Sequence, residues 1–257
     1  MIIPSKPHIN NLFIPGSKPV VSDFEQQYVM LRLKERRLYT DEELFHLPLI
    51  AKSNPHFKEW RIRRRSAEAL IARLEAKKRI LNILEVGCGN GWLSHQLSRI
   101  PGSRVIGMDL NLTELTQAAR VFNANSKLKF IYGDFRDGLV SDLQFDAVIF
   151  AASIQYFPAL PEVLDTALKL IYSNGEVHIV DSPLYSKEGL RAAAERTRVY
   201  YQGLGFPMMA AHYFHHETGD LNGYEYRILR DPTSWKNKLI NRNPFPWICV
   251  KGRKSLT

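Results

Sequence analysis

Leu84-Glu85-Val86-Gly87-Cys88-Gly89-Asn90-Gly91-Trp92-Leu93-Ser94 closes an apolar run with three alternating glycines. Glycines so placed at a strand end clear the backbone for a close neighbour, and the start of a following helix turns its N–H groups to the same space. A phosphate cradle would need G-x-x-x-x-G-K-[ST], and that string occurs nowhere in the chain. A dinucleotide loop would need G-x-G-x-x-G, with the third glycine admitting close helix–strand packing. Counted from Gly87 that place holds Trp92, and counted from Gly89 it holds Ser94. Both registers fail, and the spacing left to explain is Glu-x-Gly-x-Gly-x-Gly.

Outward from the loop, short apolar runs alternate with amphipathic stretches. ILNILEVG, SRVIGMDL, LKFIYGDF, FDAVIFAA and GEVHIVDS read as strands. WLSHQLSRI, LTELTQAARVFNAN and LPEVLDTALKLIYS read as helices, with a short turn-rich stretch between the third and fourth strands. This alternation predicts an α/β fold, doubly wound, whose parallel sheet carries helices on both faces. A long helix, SKEGLRAAAERTRVYYQGLG, follows Pro183, and YEYRILR and PWICVKG read as an antiparallel pair closing one edge. Before the loop, residues 1–20 read as an irregular arm. Ser22 is placed to cap a helix over DFEQQYVMLRLKERR, and Thr40-Asp41-Glu42-Glu43 is a capping-box pattern for a short second helix. Asn54-Pro55 predicts the start of a third, with Phe57, Trp60, Arg64, Ala67, Leu70/Ile71 and Leu74 inward and Arg61, Arg63 and Arg65 outward. The expected division is a helical lid or prelude over 1–79 and one catalytic unit over 80–257.

At the glycine loop the chain resembles the class I S-adenosylmethionine (SAM)-dependent methyltransferases, and the resemblance runs from about Ile80 to Val180 with a tail to Gly252. It implies a Rossmann-like, mostly parallel seven-stranded sheet of order 3-2-1-4-5-7-6, the last strand antiparallel. It also implies SAM as cofactor and S-adenosylhomocysteine (SAH) as product. SAM carries no phosphate, so Gly87, Gly89 and Gly91 are expected to give flat backbone approach to it, with Cys88 a small filler beside them. Glu85 matches the family's acidic residue near the amino group of the methionine tail. Asp109 ends the second strand 18 residues after Gly91, where a carboxylate accepts from ribose hydroxyls. Asp134 matches the adenine position, with Phe135 or Leu110 against the ring, and Ala151 and Ala152 are expected under the sulfonium. Any one of these acids also suits a helix cap.

Methyl transfer needs alignment of acceptor and methyl more than a fixed set of catalytic groups. The expected acceptor is a small molecule. Ser153-Ile154-Gln155-Tyr156-Phe157 ends the fourth strand, where family members that methylate exocyclic amines of bases carry Asp/Asn/Ser-Pro-Pro-aromatic. That string is lacking here, and its partial echo Asp181-Ser182-Pro183-Leu184-Tyr185 comes one strand too late, so nucleic acid is not favoured. Catalytic candidates are Tyr156, His212 and His215. One histidine of His212–His216 fits a general base, His212, His216 and Glu217 have a metal-like spacing without H-E-x-x-H order, and local hydrogen bonding is the plainer account of the cluster; no metal is assigned. Tyr28, Trp60, Arg64, Tyr185 and Tyr200 are candidate substrate contacts, with Tyr39 and His56 beside them, although the aromatic pair on the long helix also suits core. An inward Arg64 would hold an anionic group of the acceptor.

The composition is ordinary for a globular protein: 257 residues, 45% hydrophobic and 24% charged. Two cysteines exclude a disulfide framework, no apolar run suits a membrane span, no secretory leader is visible, and the expected location is cytoplasmic. The net charge is +9, and residues 1–80 carry 16 Lys/Arg against 9 Asp/Glu. That excess suits RNA, an anionic surface or a phosphorylated partner, or is a solvated helix face. The alternatives to a small-molecule enzyme are therefore an RNA or protein methyltransferase and a SAM-binding protein without turnover. The sequence does not set the oligomeric state.

Overall fold

Residues 9–16, 22–235, 237, 239 and 243–253 are described by a computed structural model. The expected strands form β2 (Asn82–Val86), β3 (Arg104–Asp109), β4 (Leu128–Tyr132), β5 (Phe145–Ala151) and β6 (Ile171–Val180), all parallel. β7 (Tyr224–Arg230) and β8 (Trp247–Arg253) complete that edge, and β8 runs antiparallel to both β6 and β7. Among the described residues the sheet has eight strands, not seven. Its order is β1-β4-β3-β2-β5-β6-β8-β7, and the additional strand β1 (Leu12–Phe13) pairs parallel with β4. Without β1 the order is that of the expected seven. β1 lies in the segment read as an irregular arm; residues 1–8 and 17–20 of that arm lie outside the described residues.

Period-two alternation along the strands divides the core between the two faces. Ile83, Ala147 and Ile149 point to one face, where α3 (Phe57–Glu75), α4 (Trp92–Ser98) and α5 (Leu112–Val121) cover them. Leu84, Val148 and Phe150 point to the other, beneath α6 (Leu160–Lys169). Both faces are therefore buried, which is why the strands read as unbroken apolar runs. Register aligns the strand ends: Val86 pairs with Met108 and Phe150, and Asp109 pairs with Tyr132. The four loops that follow β2, β3, β4 and β5 thus meet at one edge of the sheet.

The first helices begin as the sequence indicates. Ser22 accepts from the Glu25 N–H at the start of α1 (Asp23–Lys34), and Thr40 and Glu43 form a reciprocal box at α2 (Asp41–His46). Asn54 instead accepts from the His56 N–H at 2.9 Å, a turn ahead of α3, which starts at Phe57 without a side-chain cap. The α3 stripe is also rotated. Its buried residues are Trp60, Ser66, Ala67, Leu70 and Leu74. At 3.6 residues per turn Arg63 falls within about 10° of that stripe's centre, and Arg64 lies about 90° away. A small separate core of Leu31, Tyr201 and Met209 joins α1 to α7 (Leu190–Leu204) and to the 3-10 turn Pro207–His212.

Candidate functional site

The aligned strand ends open into a cleft of about 420 Å³, and α1 and α3 form its opposite wall. Glu85, Gly87, Cys88 and Gly89 line it from β2, Asp109 and Leu110 from β3, Asp134 and Phe135 from β4, and Ala151, Ala152 and Tyr156 from β5. Tyr28, Trp60 and His212 line the wall facing them. Gly91, Arg64, Tyr185, Tyr200 and His215 do not line the cleft.

The glycines divide their work differently from the expectation. Gly91 has φ +72°, and a Cβ there would meet the Phe130 ring at 2.6 Å and Ala118 at 3.0 Å. Gly87, at φ +71°, would drive a Cβ into Ser153, whose hydroxyl donates to the Val86 carbonyl at 2.6 Å. Both glycines are demanded by protein packing and a left-handed backbone. Only at Gly89 is the neighbour open enough for an added Cβ, with Glu114 at ordinary contact distance, 3.5 Å.

Each carboxylate has its own environment. Glu85 is 2% exposed and accepts from Ser94 Oγ at 2.5 Å. Burial, helped by the nearby Asp109 charge, pushes its carboxyl up to about 8. Asp109 is also raised by burial, although its oxygens accept from the N–H groups of Gly89 (2.7 Å) and Asn111 (2.8 Å). The Leu110 N–H also acts on this carboxylate, so of its roughly four lone-pair sites one is left for a further donor. At Asp134, burial acts upward, but the Arg136 fork (2.9 and 2.5 Å) outweighs it and the net shift is downward. Glu114, at the third position of α5, is 8% exposed, lines the cleft and is pushed by burial up to about 7. The sequence signal for Glu114 was Asn111-x-x-Glu114, which reads as an ordinary cap. Asn111 does cap α5, but the Glu114 carboxylate turns to Asn111 Nδ2 (3.2 Å) and the cleft. Arg136 was likewise missed; a lone Arg two residues beyond an Asp carries no distinctive pattern.

On the facing wall, Tyr28 and Tyr156 meet edge-on at 5.9 Å, and Phe24 packs on His212 at 4.5 Å. The histidine cluster separates. His212 faces the cleft, whereas His215 pairs with Thr197 at 2.9 Å and His216 is buried on the Ile154 carbonyl at 2.9 Å. His216 is thus committed to Ile154, and Glu217 closes a capping box with Asp220, so the metal-like spacing is not a converging set. Tyr200 donates to Glu35 at 2.5 Å and ties α7 to the end of α1, and Tyr185 sits against His215. Arg64 turns outward to Glu68 at 3.4 Å; the arginines facing the cleft are Arg32, Arg37, Arg63 and Arg136. Asp181, buried, accepts from Ser66 on α3 at 2.5 Å and is a structural tie.

Among the described residues Glu176, His178 and Cys249 bring three donor atoms within 4.8 Å of one another on β6 and β8. Arg73, Lys77 and Lys251 surround the same carboxylate at 2.8, 3.2 and 3.7 Å. Three cations on one carboxylate oppose a further cation, and we read the group as an ion-pair tie between α3 and the sheet.

Residues 83–175 match the methyltransferase domain family. The malonyl-[acyl-carrier protein] O-methyltransferase of Enterobacter lignolyticus is 29% identical over 125 residues, 48% of each chain. The sterol 24-C-methyltransferase ERG6B of Gibberella zeae is 29% identical over 98 residues, 37% of this chain and 26% of that protein. The chain thus spans less than half the length of these curated relatives. The plantazolicin methyltransferase BpumL, solved with a monoazolic desmethylPZN analogue and SAH, shares the fold over 90% of this chain and 97% of its own, with TM-score 0.55 and 16% identity. These matches define a methyltransferase domain around the glycine loop. Residues 83–175 thus carry a methyltransferase domain, and the chain as a whole shares the fold of an SAH-bound methyltransferase.

Proposed function

We propose that this protein is an enzyme that transfers a methyl group from SAM to a small-molecule acceptor. The observation that carries this reading is a single cleft ringed by Glu85, Asp109 and Glu114, carboxylates that burial holds above their ordinary range. Such a set fits a cationic ligand rich in hydroxyl and amine donors, because a bound cation returns each carboxylate to its charged form. Glu25 supports the fit: it lines the cleft, and its Oε2 is buried without a partner among the described residues. Glu85 would accept from the ammonium of the methionine tail and Asp109 from the ribose, and Asp134, whose oxygens each take two contacts from Arg136, would give up part of that fork to accept from the adenine amine. Bound SAM supplies an electrophilic methyl group on a sulfonium. Leu110 and Phe135 flank the adenine place, and Ala151 and Ala152 leave space beneath the sulfur.

The chain's own part in the reaction is positioning. Tyr156 and His212 face the space beyond the β5 end, and His212 is the imidazole placed to take a proton from an acceptor. We propose that residues 1–79 work as a lid over the unit formed by 80–257, with Phe24, Tyr28 and Trp60 shaping the acceptor place. The relatives' names cover a carrier-bound acid and a sterol, so they do not assign an acceptor here. The test is calorimetric titration with SAM and SAH, followed by incubation with methyl-labelled SAM and a metabolite extract. The expected outcome is binding of both and a labelled product of low mass. No binding of either ligand overturns the reading. Binding with no product supports a SAM-binding protein without turnover, and label that disappears on nuclease treatment supports RNA.

A further inference from the structure

The charged side chains on the lid side of the cleft form an alternating ladder. Arg32 on α1 contacts Glu35 at 3.2 Å, and Arg37 lies 3.3 Å from the same carboxylate. Arg37 grips Glu59 through both terminal nitrogens, at 2.9 and 2.6 Å, and Glu59 also accepts from Arg63 Nε at 2.9 Å. Three guanidiniums thus share two carboxylates, and one positive charge is unmatched within the ladder. Both ends of the ladder are arginines that line the cleft. Arg37, in the middle, has its terminal nitrogens engaged, whereas the ends keep donors to spare. Among the described residues Arg63 makes no contact through its terminal nitrogens to a protein acceptor, and Arg32 uses one N–H to Glu35 and one to Tyr28 Oη (2.5 Å) of its five.

The two ends face different neighbours. Arg63 acts electrostatically on Glu85 and Glu114, at the end of the cleft assigned to the methionine tail, and suits that tail's carboxylate. Arg32 lies 4.7 Å from the centre of the Tyr28 ring, and Tyr28 meets Tyr156 edge-on. The acids that feel Arg32 across the cleft, Asp109 and Glu114, make no hydrogen bond to it and belong to the donor's place. Phe24 and His212, packed at 4.5 Å, and Tyr156, edge-on to Tyr28, line the same cleft as Arg32. A guanidinium fork at the end of an aromatic slot matches a planar acid, whose carboxylate it meets with two parallel N–H groups.

We infer that the methyl acceptor is an aromatic carboxylic acid, its carboxylate on Arg32 and its ring against the edge-on pair Tyr28 and Tyr156. The inference rests on the methyltransferase reading above and adds the acceptor class to it. The test uses protein saturated with SAH and calorimetric titration of matched pairs, hydroxylated benzoates and cinnamates against their neutral amides. The acids are expected to bind at least about tenfold more tightly than the amides. In Arg32→Gln the preference should fall below about twofold, Arg32→Lys should keep part of it, and SAH affinity should stay within about twofold as evidence of an intact fold. Acids binding no better than amides, a preference that survives in Arg32→Gln, or no binding by any member of the panel would overturn the inference. Failure of wild-type protein to bind SAH is a separate result: it removes the methyltransferase reading, and this inference with it.

Discussion

At Glu85, burial works against charge, and the consequence is measurable. With its carboxyl pushed up to about 8, the residue is largely protonated at neutral pH before ligand arrives. A ligand ammonium requires the ionised form, so binding at neutral pH must expel a proton. Affinity for SAM should therefore rise as pH increases toward about 8, and fall beyond it as the ligand's own amine loses its proton. Calorimetry in two buffers of different ionisation enthalpy checks this: Glu85→Gln should release close to one proton fewer than wild type, the remainder coming from Glu114, and bind at least about tenfold more weakly. Residue identity was legible here because strand, acid and glycines stand in one unbroken stretch. Arg32 was not legible. Its role depends on where α1 lies in space, and α1 carries no apolar face strong enough to say so. Arg63 and Arg64 show how fine the margin is, since one residue on a helix is about 100° of rotation.

At the scale of elements, the contact between α1 and α5 decides whether the cleft is covered. Glu25 reaches across to accept from the Leu112 N–H at 2.6 Å, at the positive end of α5. The residue is 2% exposed, so this is a buried link between α1 and the sheet's own helix. Glu25→Ala should destabilise the fold by about 1–2 kcal/mol in urea unfolding and speed SAH release several-fold in stopped-flow. Glu25→Gln, which keeps an accepting oxygen, should behave closer to wild type; equal release rates in all three proteins would remove the link from lid closure. Helix starts marked by Ser22 and Thr40 were legible because their caps are local. Asn54-Pro55 misled by a few residues, because an Asn beside a Pro forms a turn as readily as it caps a helix.

Across the whole molecule, the ion-pair tie at Glu176 fastens α3 to the sheet. Burial acts upward on this carboxyl, but hydrogen bonds from His178 and Arg73 and the surrounding cations hold it well below its usual range. A depressed acid stabilises the fold fully above its unfolded value, near 4.5, and that contribution is lost as pH falls through the folded value. Glu176→Gln should cost about 1–3 kcal/mol near neutral pH, discounted because Arg73 and Lys251 are partly solvated, and should flatten the acid side of the stability curve. Urea titrations at several pH values check both effects. Sheet order was legible because alternation of runs and helices admits few topologies. The Glu176 tie was not, since its members come from three stretches about 70 to 180 residues apart in sequence that meet only through strand pairing and the packing of α3 on the sheet. Nor was β1, two residues long and too short to show a period. Its effect is larger than its length. By laying its backbone along β4, it occupies the row of unpaired N–H and C=O groups that would otherwise offer another chain a place to add on. Residues ahead of α1 thus shield this edge of the sheet, and shortening the chain there would exchange a catalytic question for one of solubility.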